Sequence, residues 1–451
     1  MCYNYLLKGA WKELKILKIV SLLLAVLLLS GCGMRTVHEL YQLPKRSEEY
    51  NNLQSAIDSV MNGLEYCAPL FGQHLQTVQM ADLDGDGVQE YLLFAKGTTE
   101  KPLHILIFRE VNNEYVLSDT IQSAGAAFDV VQYARVDDNP GYELIVGHQV
   151  SDQVTRSVTV YTFTDGKSSI LMTANYTKFV TCDLNADGRT GLLILRPGEA
   201  IEQNGVAEVY HYSNGTMERS NEARMSQTVD NIKRIISGYI HGGGSAVYVA
   251  SAVGESAIVT DVFTLVDGHF SNIAFSNESG TSVQTLRNYY VYADDIDEDG
   301  IVELPALNTM RLPFGISSSS VQYVIRWYAM TSDGDEIDKR YTYHNFLGGW
   351  YLTLDSSWAN RLAVIQQGNV YEFYIWDEAY SSAVKIMTIF ALTGEDRDEE
   401  AIKQNRVVLY AGETVTYAVN LEVASAAYHI TQDTLQKSFH LIHHDWKNGE
   451  T

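Results

Sequence analysis

The chain is short of basic residues. Its 451 residues include 32 Lys and Arg against 56 Asp and Glu, a formal net charge of −24. A nucleic-acid binder presents a basic face to phosphate, so this balance argues against one. It favours cations and keeps the surface soluble. Cysteine is scarce too: Cys2, Cys32, Cys67 and Cys182. That excludes a disulfide scaffold in a chain this long, and no structural disulfide is expected, Cys67–Cys182 being the one candidate pair. No apolar run approaches the roughly 20 residues of a membrane-spanning helix. Local signatures of nucleophilic, zinc and nucleotide chemistry are missing. There is no Gly-x-Ser-x-Gly elbow, no His-Glu-x-x-His, no Walker loop and no dinucleotide glycine fingerprint. His440, His443 and His444 read as a surface tail rather than a metal site. What remains is 46% hydrophobic, enough to bury a real core, over a length that suggests two or three domains.

Lys8, Lys12, Lys15 and Lys18 precede an apolar run from Ile19 to Leu29. A basic region before a short apolar one reads as a secretory signal. The run ends Leu29-Ser30-Gly31-Cys32, which resembles the lipobox of bacterial lipoproteins. That resemblance implies cleavage before Cys32 and lipid attachment on it. The expected layout is a signal peptide at 1–31, a tether at 32–45 and an N-terminal helix at 46–67. The helix follows from the spacing of Leu53, Ile57, Val60 and Leu64.

An internal repeat follows. "ADLDGDGVQEYLLF" from Ala81 recurs as "ARVDDNPGYELIVG" from Ala134 and "TCDLNADGRTGLLIL" from Thr181. It recurs again as "GYIHGGGSAVYVAS" from Gly238 and "ADDIDEDGIVELPAL" from Ala293. The first ligand-like positions are 82, 135, 183, 239 and 295, spaced by 53, 48, 56 and 56. A second signal keeps the same phase. Asn112-Asn113, Asp165-Gly166, Asn214-Gly215, Asp267-Gly268 and Asp333-Gly334 each stand between alternating strand patterns. Such pairs favour tight primed turns. A unit therefore reads strand, acidic loop, strand, hairpin: about four strands in about 50 residues, the size of a propeller blade. The expected fold is mainly β, a β-propeller of about five four-stranded blades over 68–345, with six or seven blades also compatible.

In the first loop, Asp82, Asp84, Asp86 and Glu90 occupy positions 1, 3, 5 and 9, and the carbonyl of Val88 stands at position 7. Hard oxygen ligands in a flexible loop suit calcium. The fifth loop repeats the set with Asp295, Asp297, Asp299, Ile301 and Glu303. The third offers Asp183, Asn185, Asp187 and the carbonyl of Arg189, but Gly191 replaces the acid at position 9. The second begins with Arg135 and keeps Asp137, Asn139 and Glu143, and the fourth has no carboxylate, so neither is expected to hold metal. An EF-hand is excluded because position 12 is Leu93, Ile194 or Ala306 and strands flank the loops. Acids that recur with the fold belong to its scaffold; a catalytic set would be unique.

With Phe71-Gly72 upstream, this pattern resembles the FG-GAP or VCBS-type repeats of integrin-like propellers, here in a lipoprotein of Gram-positive bacteria. The resemblance implies structural calcium in the loops. After about Phe346 the period stops, and hairpin and helix patterns suggest a small α+β domain over 346–451. The expected protein is monomeric, lipid-anchored on the extracytoplasmic face of the cell membrane, without catalysis, and binds a cell-surface protein or polysaccharide. The alternative is a propeller-type glycoside hydrolase or polysaccharide lyase, whose two acids can be distant in sequence.

Overall fold

The computed structural model describes residues 48–150, 156–199, 204–288, 291–313 and 322–442. The expected signal peptide, Cys32 and the tether lie outside them, as do His443 and His444. Among the described residues no helix is long and apolar enough to cross a membrane. Residues 48–62 and 110–116 group as one compact unit, and the remaining described residues as another.

The smaller unit is built on the helix Glu48–Val60. Leu53 and Ile57, one turn apart, are its buried face. Asn52 Nδ2 donates to the carbonyl of Asn113 at 3.3 Å. The helix is shorter than the expected 46–67. Its last bond runs from Met61 N to Ile57 O, and residues 61–67 turn and form a short strand, Glu65–Tyr66, instead.

The described residues form six antiparallel sheets. The first contains Val78–Ala81, Glu90–Lys96, Leu103–Val111 and Glu114–Ser123, with Glu65–Tyr66 paired beside Ala95 and Lys96. The second is Ala127–Ala134, Glu143–Gln149, Arg156–Thr164 and Lys167–Tyr176. The third is Lys178–Cys182, Gly191–Arg196, Val206–Ser213 and Thr216–Arg224. The fourth is Ile232–Tyr239, Ser245–Val253, Ala257–Val266 and His269–Asn272. In each of the second to fourth sheets, four strands pair in chain order, as the repeat predicts. The first four turns have positive φ at both central residues, from 50° to 89°, which fits the primed turns that Asn and Gly permit. The fifth differs: only Gly334 is left-handed, and Thr331–Asp335 forms a longer loop.

Each sheet packs on the next through an apolar core. Leu92, Phe94 and Ile105 of the first meet Phe128 and Val146 of the second, and equivalent cores join the second to third, third to fourth and fourth to fifth. The acidic loops add a main-chain bond that repeats in register. The carbonyl at position 1 of one loop accepts from the N–H at position 8 of the next. It is seen from Tyr142 N to Asp82 O (2.9 Å), Thr190 N to Arg135 O (2.6 Å) and Val302 N to Tyr239 O (3.0 Å). The loops therefore fasten neighbouring sheets as well as neighbouring strands. Among the described residues the sheets form no closed ring.

The boundary expected between 345 and 346 does not separate two cores. The fifth sheet contains Leu304–Thr309, Tyr323–Met330 and Glu336–Asn345, then continues with Trp350–Leu354 and the distant strand Phe439–Leu441. The sixth runs Leu362–Gln367, Val370–Trp376, Ala383–Thr393, Val415–Leu421 and Val407–Ala411. Both share one core, in which Trp350 is fully buried and its ring lies 5.4 Å from Phe439 and 5.3 Å from Tyr371. The short helices Ser356–Ala359, Arg397–Ala401 and Gln432–Ser438 complete this region, the last capped by Thr431.

Candidate metal centres

The first, third and fifth loops share one backbone. Positions 4 and 6 have positive φ in each: Gly85 and Gly87, Ala186 and Gly188, Glu298 and Gly300. The position-1 carboxylate holds the turn by accepting main-chain N–H groups. Asp82 takes Gly85 N at 2.7 Å and Gly87 N at 3.1 Å. Asp183 takes Asp187 N and Gly188 N, and Asp295 takes Asp299 N and Gly300 N. The position-5 carboxylate accepts from the N–H at position 7, at 2.7–2.8 Å in all three. Each of these carboxylates still has acceptor capacity beyond the turn bonds.

Two loops bring three carboxylates together. Oxygens of Asp82, Asp84 and Asp86 lie within 4.8 Å of one another, and so do those of Asp295, Asp297 and Asp299. In the fifth loop, Asp297 Oδ1 and Glu303 Oε1 are buried with no hydrogen-bond partner. Four carboxylates in one loop, two of them with an orphaned oxygen, fit a hard cation, which would supply positive charge. The first loop has no basic side chain in ion-pair contact among the described residues, whereas Lys339 Nζ lies 2.7 Å from Asp299 Oδ2 and Arg340 3.6 Å from Asp297. The carbonyls of Val88 and Ile301 remain the position-7 donors of these two loops.

The glutamates at position 9 have another task besides ligation. Glu90 accepts from Leu83 N at 2.8 Å, Glu143 from Val136 N at 2.6 Å and Glu303 from Ile296 N at 3.1 Å. Each clips the loop's second residue to the following strand. Burial pushes their carboxyls up, to about 6 for Glu90 and about 7 for Glu143 and Glu303. Neighbouring aspartates push in the same direction, and the main-chain bonds oppose it. Sequence alone suggested these acids as ligands only. The signal for the clip was Glu143, which persists in a loop whose first position is arginine.

The third loop does not assemble a triad. The side chain of Arg189, expected to serve through its carbonyl, folds back over the loop. Its Nη2 lies 2.7 Å from Asp187 Oδ2, and Nη1 lies 3.0 Å from Asp138 of the second loop. Asn185 Nδ2 donates to the same Asp187 oxygen at 2.9 Å. The guanidinium occupies the place where a cation would neutralise Asp187 and holds that carboxyl below its usual range. In the second loop, Asp137 is satisfied by Asn139 and Thr162. The fourth is a short turn closed by Gly243 N on Ile240 O.

Outside the loops, His440 is half-buried, with its ring 4.9 Å from that of Tyr351. Cys67 and Cys182 are free thiols.

No protein-family model matches the chain, and no curated protein does. Among solved structures, an exotype rhamnogalacturonan lyase is similar with a TM-score of 0.27 and 12% identity, over 71% of this chain and 62% of the lyase. A protein from Lactobacillus plantarum is similar with a TM-score of 0.27 and 11% identity, over 71% of this chain and 86% of the other. The chain thus spans less than two thirds of the lyase's length. Likeness at this level carries no argument about activity.

Proposed function

We propose that this is a lipid-anchored binding protein of the extracytoplasmic face, built on FG-GAP-like repeats arranged as a propeller and stiffened by calcium in its first and fifth loops. The observation that carries the calcium reading is the pair of aspartate triads, with one orphaned oxygen in the second of them, on Asp297, and another on Glu303 of the same loop. The triads sit on the same turn that fastens each sheet to the next, so a cation there stabilises the scaffold rather than performing chemistry. The lipid anchor is supported by the Leu29-Ser30-Gly31-Cys32 sequence. A hydrolase or lyase reading would need its own acid pair or base outside these loops, and no observation here favours it.

The test is thermal unfolding in calcium and in chelator, with bound calcium counted by equilibrium dialysis. Ligand that binds only the folded chain stabilises by mass action, about 2.7 kcal/mol per site at a hundredfold excess over Kd. Two calcium ions and a rise of several degrees in Tm are expected. Equal Tm in calcium and chelator would end the calcium reading, and lipid labelling that persists in Cys32→Ser would end the anchor.

A further inference from the structure

The first strands of three successive sheets meet at one cavity of about 520 Å³, with Val130 and Gln132 from the second sheet, Lys178 and Phe179 from the third and Ile235 from the fourth. That size is ordinary for a small-ligand site. Phe71 forms another part of its wall. Main-chain bonds from Leu70 N to Phe128 O (3.1 Å) and Phe71 N to Asp129 O (2.9 Å) lay its segment parallel to Ala127–Ala134. Gly72 then turns the chain with φ +90°, and a Cβ there would meet Val130 at 3.0 Å. Phe71 is left 55% exposed, with the Arg156 guanidinium 6.0 Å from the centre of its ring.

The polar groups of the cavity are positioned by a buried carboxylate. Asp129, 3% exposed, accepts from Tyr176 Oη at 2.5 Å and from Gln149 Nε2 at 3.4 Å, and it pairs with Arg156 Nε at 3.5 Å. It therefore fixes Arg156 through Nε, while Nη1 donates to the carbonyl of Thr177 at 3.5 Å, which leaves Nη2 for the cavity. Burial, then Asp129, pushes the Tyr176 hydroxyl up, so it stays a proton donor to Asp129 rather than a base. Lys178 is exposed and has no ion-pair partner among the described residues. Gln132 Oε1 lacks a hydrogen-bond partner. Two cations thus face one carboxylate, in a chain whose net charge is −24. A local excess of positive charge next to an exposed aromatic face selects an anion with an apolar face of its own.

We propose that this cavity binds a sugar ring bearing a carboxylate, a uronic acid unit of an anionic glycan. The carboxylate engages Arg156 and Lys178, the apolar face of the ring covers Phe71, and a ring hydroxyl donates to Gln132. The single carboxylate of the described lining is already committed to Tyr176 and Arg156, so the cavity binds without the facing acid pair that glycoside hydrolysis uses. This assignment rests on the reading of the chain as an extracytoplasmic binding protein and names the class of its ligand.

The test is calorimetry on the whole protein with trigalacturonic acid, its methyl ester, neutral galactotriose and a glycerol phosphate oligomer, each in calcium and in chelator. The acid should bind, with the ester and the neutral sugar about tenfold weaker or worse, as expected for a lost charge-assisted hydrogen bond. Lys178→Met and Phe71→Ala, both at exposed positions, should each weaken the acid to a similar degree. Arg156→Met should weaken it further, with circular dichroism confirming that it folds. The proposal is overturned by equal affinity for acid and ester, by binding of the phosphate oligomer alone, or by binding that Lys178→Met and Phe71→Ala leave unchanged. A calcium-dependent Tm without uronate binding would remove this ligand and leave the calcium scaffold standing.

Discussion

The first and third loops have the same backbone and opposite electrostatics. In both, an aspartate at position 1 takes two turn N–H groups, and one at position 5 takes the N–H at position 7. They differ at positions 3, 4, 7, 8 and 9, and the differences that bear on charge and ligation are Asp84, Val88 and Glu90 against Asn185, Arg189 and Gly191. The first loop therefore gathers three carboxylates with no internal cation, while the third brings its own guanidinium to Asp187. The turn is held by its aspartates and glycines, and metal is not needed to make it. What a cation adds is neutralisation, and a neighbouring side chain can provide that instead. The second loop is a neutral version, in which Thr162 and Asn139 donate to Asp137.

The widest break in this comparison is to exchange the two loops. Asp84→Asn with Val88→Arg gives the first loop the third loop's residues at positions 3 and 7. It should lose one calcium and most of one site's stabilisation, about 2.7 kcal/mol at a hundredfold excess of calcium over Kd, while unfolding in chelator at an unchanged or slightly higher Tm. The reverse exchange, Asn185→Asp with Arg189→Val, should gain a calcium and lower the Tm in chelator. Equilibrium dialysis and thermal unfolding read both. Should the reverse exchange bind no extra calcium, the Arg189 guanidinium is not what keeps metal out.

The fifth loop sharpens the point, since it has both the triad and competing bases. Lys339 Nζ on Asp299 must move or share when a cation enters. This pair is partly exposed, and such pairs contribute about 1 kcal/mol or less. Lys339→Met should therefore tighten calcium at this loop by a few-fold and slightly lower the Tm in chelator. The same substitution should not change calcium binding at the first loop. Unchanged affinity at the fifth would mean that Lys339 rests on Asp299 without blocking it.

Much of this was legible from local chemistry. The four primed turns and the acid positions each depend on residues within one turn, where type and spacing suffice, and their recurrence every 48 to 56 residues is read directly along the chain. Asp333-Gly334 looked like a fifth such turn, but its distance from the loop had already drifted to 38 residues, and the structure has a longer connection there. Arg189 was read for its carbonyl alone. Its side chain reaches Asp138, 51 residues earlier, and a contact that long lies outside any loop motif. The end of the repeat at 345 was visible. The pairing of Trp350–Leu354 with Phe439–Leu441 was not, because it joins segments nearly 90 residues apart. The cavity at Phe71 shows the same limit: it gathers side chains from three sheets, and no one of them is unusual in its own segment.

The smallest effect expected concerns the metal-poor second loop, where the position-9 clip can be separated from calcium. Glu143 is fully buried, accepts from Val136 N at 2.6 Å, and has its carboxyl pushed up to about 7 by burial and by Asp137. Its folded value thus lies above the ordinary 4.5, so the proton is held more tightly in the folded chain. The resulting stability is fully present below about pH 4.5 and is lost as the pH rises through about 7. Glu143→Gln imitates the protonated side chain at every pH, keeping an acceptor for Val136 N and offering an amide donor toward Thr162 Oγ1, which now lies 3.3 Å from Glu143 Oε1. Relative to the parent, the variant should gain stability between pH 5 and pH 8 by an amount on the order of 2 kcal/mol. Denaturant unfolding at both pH values, in chelator so that the triads do not contribute, reads the difference. Lowered carboxylates elsewhere, such as Glu208 between Arg196 and Arg219, tilt both proteins in the opposite direction and cancel in the comparison. Parallel curves for parent and variant would show that Glu143 stays ionised throughout, its main-chain bonds outweighing its burial.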